Sequence, residues 1–135
     1  MTIFMMDTNI CSFLIRGKSA WAEKRLMELV PRDEVVVSAV TYFELQRGAL
    51  AKNAPKRLVK EVMNLIERLT AVLPWDREAA ADAARVHADL SARGQMIGPN
   101  DVLIAGHALA TGCVLVTNNT FEFKRVKELK LEDWA

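Results

Sequence analysis

Cysteine is scarce: Cys11 and Cys113 are the only two in 135 residues. Neither belongs to a CxxC pair, which excludes a disulfide framework and a cysteine zinc site, and both read as buried thiols. Long apolar runs are missing as well. No stretch approaches a membrane span, and the N-terminus lacks a basic segment followed by a long apolar core. A cytoplasmic protein without membrane association is expected. An excess of either charge is also absent, since 18 Lys and Arg stand against 17 Asp and Glu, a formal net charge of +1. Affinity for a polyanion must then come from local patches or a metal ion, which excludes a histone-like or basic-arm protein. The four prolines fall singly at element boundaries, and there is no internal repeat, low-complexity tract or linker. What is present is globular, with 51% hydrophobic and 26% charged residues. A single domain spanning 1–135 is expected, large enough to bury roughly two thirds of its unfolded surface without staples.

The hydrophobic pattern alternates between short strands and helices. Ile3-Phe4-Met5-Met6 is a continuous apolar run, the mark of a strand buried on both faces, and it delivers Asp7 at its end. Thr8 can cap a short helix carrying Ile10, Phe13 and Leu14, with Gly17 at its exit. Ser19 can cap a second helix that stops before Pro31. The β-branched run Val35-Val36-Val37-Ser38 is the second strand. A helix opens at Thr41-Tyr42-Phe43-Glu44 and continues to about Lys52; a further one covers Arg57–Leu69, and the two read as a hairpin. Ala71-Val72-Leu73 is a weak strand. Asp76 then caps a long alanine-rich helix, Arg77–Arg93, that exits at Gly94. After a loop at 95–99, a helix from about Asn100 to Ala110 holds Asp101 in its first turn. Cys113–Thr117 is the clearest late strand, followed by the turn Asn118-Asn119-Thr120. The tail from Phe121 is read only as a basic cluster, Lys124, Arg125 and Lys127, ending in Trp134. This alternation predicts an α/β fold with a parallel sheet and right-handed crossovers.

In such a sheet, strand C-terminal ends share one edge, and ligands bind there. Asp7, Glu44, Asp101 and Asn119 all fall at strand ends or helix starts, so residues distant in sequence can meet. Two unit charges about 4 Å apart repel by roughly 4 kcal/mol near a protein surface, and a divalent cation removes that penalty. Oxygen donors without histidine or thiolate suit Mg²⁺, or Mn²⁺, and such an ion serves phosphate chemistry. Each acid has a plainer reading as well. Asp7 can cap the first helix, Thr41-x-x-Glu44 fits a capping box, Asn100 and Asp101 fit a cap and a first-turn acid, and Asn119 fits a turn. His87 and His107 read as structural. Arg47, one turn beyond Glu44, can orient that carboxylate or meet phosphate.

Four segments in order carry a resemblance: Met5-Met6-Asp7-Thr8-Asn9, Ser38-x-x-Thr41-x-x-Glu44-Leu45, Ile97-Gly98-Pro99-Asn100-Asp101-x-x-Ile104-Ala105-x-His107-Ala108 and Leu115-Val116-Thr117-Asn118-Asn119-x-x-Glu122-Phe123. Together with the Glu132-Asp133-Trp134 ending, they resemble the PIN domain of the VapC toxins in bacterial VapBC toxin–antitoxin pairs, over essentially the whole chain. The resemblance implies a three-layer α/β/α sandwich around a small, mostly parallel sheet. It also implies a Mg²⁺-dependent endoribonuclease, often dimeric, with RNA, and tRNA in particular, as substrate and a VapB-like antitoxin as partner. Asp7, Glu44 and Asp101 match the acidic triad. Asp7 and Asp101 are expected to hold metal, joined by Glu44 and Asn119, with Thr8, Asn9 and Thr117 in support and Arg47, Lys124 and Arg125 against RNA. The departure is Asn119, where many PIN domains carry Asp; this favours one firmly held metal, with Glu122 as a substitute. A haloacid-dehalogenase phosphatase is disfavoured, because its second acid would fall at Asn9. A PIN ribonuclease that is not a toxin, or a non-catalytic RNA or protein interaction module, remains the alternative.

Overall fold

The computed structural model describes residues 1–135. In chain order, β1 (Ile3–Met6) is followed by α1 (Thr8–Ile15), α2 (Ala20–Leu29), β2 (Glu34–Ser38), α3 (Ala39–Ala49) and α4 (Arg57–Arg68). The second half runs β3 (Ala71–Leu73), α5 (Arg77–Ala92), α6 (Pro99–Thr111), β4 (Val114–Val116), α7 (Thr120–Phe123) and β5 (Leu131–Glu132). The strands form one sheet in the order β3-β2-β1-β4-β5, and every pairing is parallel.

Successive strand residues point to opposite faces, so each apolar strand feeds two cores. Phe4, Met6, Val35, Val37 and Val116 join α1, α2, α3 and α4 on one face. Met5, Val36 and Leu115 join α5, α6 and Phe123 on the other. The result is three layers, helices on both faces of a parallel sheet, and it explains why the central strands read as continuous hydrophobic runs.

Local chemistry corrects several expected boundaries. Asp7, not Thr8, caps α1: its side chain accepts the Ile10 N–H at 2.9 Å. Helix α3 starts at Ala39 under a Ser38 cap, so Thr41 lies inside the helix and no Thr41–Glu44 capping box forms. Helix α6 begins at Pro99 after Gly98, which releases Asn100 from any capping role. The tail holds two elements not read from the sequence, α7 and the edge strand β5. Beyond β5, Trp134 is fully buried against Phe4 at a ring separation of 6.0 Å.

Candidate active site

The sheet order places the chain reversal between β1 and β4, the point at which crossovers leave in opposite directions and a crevice opens at the strand C-terminal ends. Asp7 stands at the end of β1 in that crevice, with its backbone N–H donating to the Val116 carbonyl at 2.9 Å. Thr117 stands at the equivalent position beyond β4, and its side chain interacts with the Asp7 carboxylate. Glu44 projects from the second turn of α3 and is held at both oxygens. The Thr8 hydroxyl donates to Oε1 at 2.6 Å, and the Asn100 amide donates to Oε2 at 3.2 Å. Asp101, in the first turn of α6, follows Gly98, where an added Cβ would stand 3.2 Å from Asp101 Oδ2. A side chain at 98 would therefore crowd that carboxylate.

These acids repel one another. Burial, with Asp7 only 3% exposed, is the largest influence on its carboxyl and raises it from 3.8 to about 6; the Thr117 side chain and the Ile10 N–H oppose the rise, and the Asp101 charge adds to it. Asp101 is likewise pushed up to about 6, first by burial and then by the charges of Glu44 and Glu122. The Glu122 charge is therefore felt at Asp101. No Lys, Arg or His forms an ion pair with any of these four acids. The negative charge is uncompensated by the chain itself, which fits a divalent cation and oxygen donors of the kind Mg²⁺ prefers. No three of the side chains, however, lie close enough together to enclose an ion. The residues fit an ion that keeps water in much of its coordination shell, as Mg²⁺ does.

The profile of the PIN domain matches residues 4–129. The chain belongs to the PIN domain family. It is 39% identical over 132 residues to the tRNA(fMet)-specific endonuclease VapC of Shigella flexneri and 40% identical over 132 residues to the VapC of the same description from Salmonella typhimurium, each alignment covering 98% of both chains. A crystal structure of DNA-bound VapBC from Salmonella typhimurium superimposes on it with a TM-score of 0.91 at 38% identity, covering 100% of each chain. PIN-domain nucleases generally depend on a divalent metal, in keeping with the unpaired acids.

Other sequence candidates in this PIN domain separate into those near the acids and those elsewhere. Asn9 is exposed on α1, and its backbone N–H helps hold the Asp7 carboxyl down. Asn119 occupies the N-cap of α7 without a side-chain capping bond; its backbone N–H donates to the Thr117 hydroxyl at 2.9 Å, and its amide side chain makes no hydrogen bond. Arg47 does not orient Glu44 but lies over the Phe43 ring at 5.4 Å. Arg125 donates to the Met96 carbonyl at 3.1 Å, and Lys124 lies over Phe121 at 5.0 Å. His107 is buried, with Nδ1 2.7 Å from the Ser38 hydroxyl, and burial lowers its pKa; it ties α6 to the end of β2. Sequence reasoning passed over the grip of Thr8 and Asn100 on Glu44, because that contact joins three segments. It also missed an open cleft of about 650 Å³ beside Glu44, between α1, α3 and α4, with Ser12, Arg16 and Arg57 on its walls.

Proposed function

We propose that the chain, acting as one PIN-like unit over 1–135, is the toxin of a type II toxin–antitoxin pair in the cytoplasm. Its activity is Mg²⁺-dependent hydrolysis of an RNA phosphodiester, with tRNA as substrate and inhibition of translation as the result. The observation that carries this reading is the set of carboxylates at the sheet's switch point that no basic side chain neutralises. The relatives named as tRNA(fMet)-specific endonucleases support tRNA, and the VapBC complex supports a VapB-like antitoxin as partner. A homodimer is the assembly we propose.

Asp7 and Asp101 would hold the metal, with Glu44 joining directly or through water and Glu122 or Asn119 completing the site. Bound there, Mg²⁺ supplies charge that stabilises the phosphoryl oxygens during attack and makes a water more acidic. The protein's own work is positioning. Thr8 and Asn100 fix both Glu44 oxygens, the N-cap bond from Ile10 fixes one Asp7 oxygen, and Thr117 braces the same carboxylate. With both aspartates near 6, they are ionised at neutral pH and above, the state that binds a cation.

Purified protein incubated with total tRNA tests the reading. Cleavage in Mg²⁺ that stops in EDTA and returns with added Mg²⁺ is the expected result, and sequencing of the new 5′ ends identifies the bond cut. RNA left intact in Mg²⁺, or cleavage persisting in EDTA, overturns it; intact RNA would favour the non-catalytic interaction module.

A further inference from the structure

Two phenylalanines stand in solvent, each directly before one of the acids in the chain, and each carries a cation on its ring. Phe43 directly precedes Glu44, is 57% exposed, and has the Arg47 guanidinium 5.4 Å from its centroid. Phe121 directly precedes Glu122, is 66% exposed, and has Lys124 Nζ at 5.0 Å and the Arg125 guanidinium at 5.4 Å. Neither ring belongs to either core, so the fold does not account for them. Arg47, Lys124 and Arg125 pair with no carboxylate. Helices α3 and α7 follow the C-terminal ends of β2 and β4, the strands that flank β1 and its Asp7, so the two rings stand on elements at either side of the crevice.

We propose that Phe43 and Phe121 are stacking platforms for unpaired nucleobases of single-stranded RNA, one on each side of the bond to be cut, with Arg47 and Lys124 meeting the neighbouring phosphates. The inference rests on the nuclease reading of the acids and goes on to state how the substrate is held. An acidic centre repels an RNA backbone, and a chain of net charge +1 has no general field to offset that. Affinity must be local, and an aromatic ring beside a cation supplies it: the ring takes the base by stacking and the cation takes the phosphate. Bases stacked in a duplex cannot reach such rings, so the arrangement selects loops and single strands. Trp21, 48% exposed with Lys24 at 5.8 Å, has no acid of the cluster beside it and serves as the comparison residue.

Single-stranded RNA bearing 2-aminopurine, and RNA of the same length with abasic positions, would be titrated in EDTA against wild type, Phe43→Leu, Phe121→Leu and Trp21→Leu. Thermal melting would first establish that all four are folded. The expected result is a change in 2-aminopurine fluorescence on binding and a wild-type preference for base-bearing RNA. Each phenylalanine variant is expected to bind that RNA about tenfold more weakly, the order of one lost stacking contact. Abasic RNA should bind all four proteins alike, and Trp21→Leu should match wild type throughout. Phenylalanine variants that bind and report like wild type overturn the proposal; if they also lose association with a second copy or another protein, the rings belong to a protein interface. The two readings fail separately. A wild type that stacks the probe but cuts no RNA once Mg²⁺ is restored removes the nuclease reading alone, whereas cleavage with indifferent phenylalanine variants removes the stacking alone.

Discussion

Asp7 answers two demands with one side chain. As the N-cap of α1 it satisfies a helix N–H, and as a buried carboxylate beside Asp101 it raises the free energy of the metal-free fold. Asn can meet the first demand and not the second. Asp7→Asn is therefore expected to lower cleavage by about a hundredfold or more, because the site loses one of its charged donors. In EDTA at pH 8 the same variant should be more stable than wild type, by about 3 kcal/mol at most for a carboxyl raised from 3.8 to about 6. The sign follows from the direction of the shift. A carboxyl whose folded value is raised, here from 3.8 to about 6, favours the fold below the lower value and loses that contribution as pH rises through the upper one. The stability gain of Asp7→Asn should shrink between pH 6 and pH 4, which urea denaturation at several pH values would follow. Asn100→Ala removes the donor to Glu44 Oε2 while sparing every proposed metal donor. It should reduce kcat by about tenfold with little change in Tm, since the lost contact is one partly exposed hydrogen bond; single-turnover cleavage beside a melting curve separates the two effects.

At the scale of elements, the pair α5 and α6 positions Asp101. Their crossing is closest at Gly106, where an added Cβ would lie 2.4 Å from the backbone of Ala83. The alanine run of α5 therefore does more than favour helix: Ala79 and Ala83 are buried and keep that face flat enough for α6 to approach. Gly106→Ala should destabilise the protein by about 1–3 kcal/mol, the usual cost of overpacking against backbone that cannot yield. Chemical denaturation would measure it, and a variant as stable as wild type would mean that the helices separate freely. Helix α6 also carries His107, whose bond to Ser38 links the start of α3, and so the helix bearing Glu44, to the helix bearing Asp101.

Across the whole molecule, the C-terminal residues close the sheet. The Thr117 N–H donates to the Glu132 carbonyl at 3.0 Å, so β5 braces the residue that supports Asp7. Trp134 seals the same edge: its indole N–H donates to the Glu132 carboxylate at 2.9 Å, its carbonyl accepts from Ser19 at 2.9 Å, and Arg25 lies 5.7 Å from its ring. Trp134→Ala should cost about 3–5 kcal/mol, as expected for emptying a fully buried aromatic site. Thermal melting would record the loss, and a Tm unchanged within a degree would show that the tail does not hold the fold.

Local pattern was sufficient for much of this protein. The apolar run Ile3–Met6, the valines of β2, the stripe of α4 and the Asp76 cap are short-range signals, and the structure contains each of those elements. Asp7, Glu44 and Asp101 were legible one by one as polar residues at element ends, and a parallel sheet sets them along one C-terminal edge without closing any three of them around a point. Long-range contact decided the remainder. The start of α3 moved to Ser38, and with it Glu44 left the capping box suggested by its sequence spacing and came under Thr8 and Asn100. Strand β5 is two residues long and exists because β4 offers it an edge; nothing in Leu131-Glu132 by itself specifies a strand. The burial of Trp134 and the effect of the Glu122 charge on Asp101 have the same origin. Each depends on residues far apart in the chain, and the free energy that fixes them resides in packing that sequence spacing does not encode.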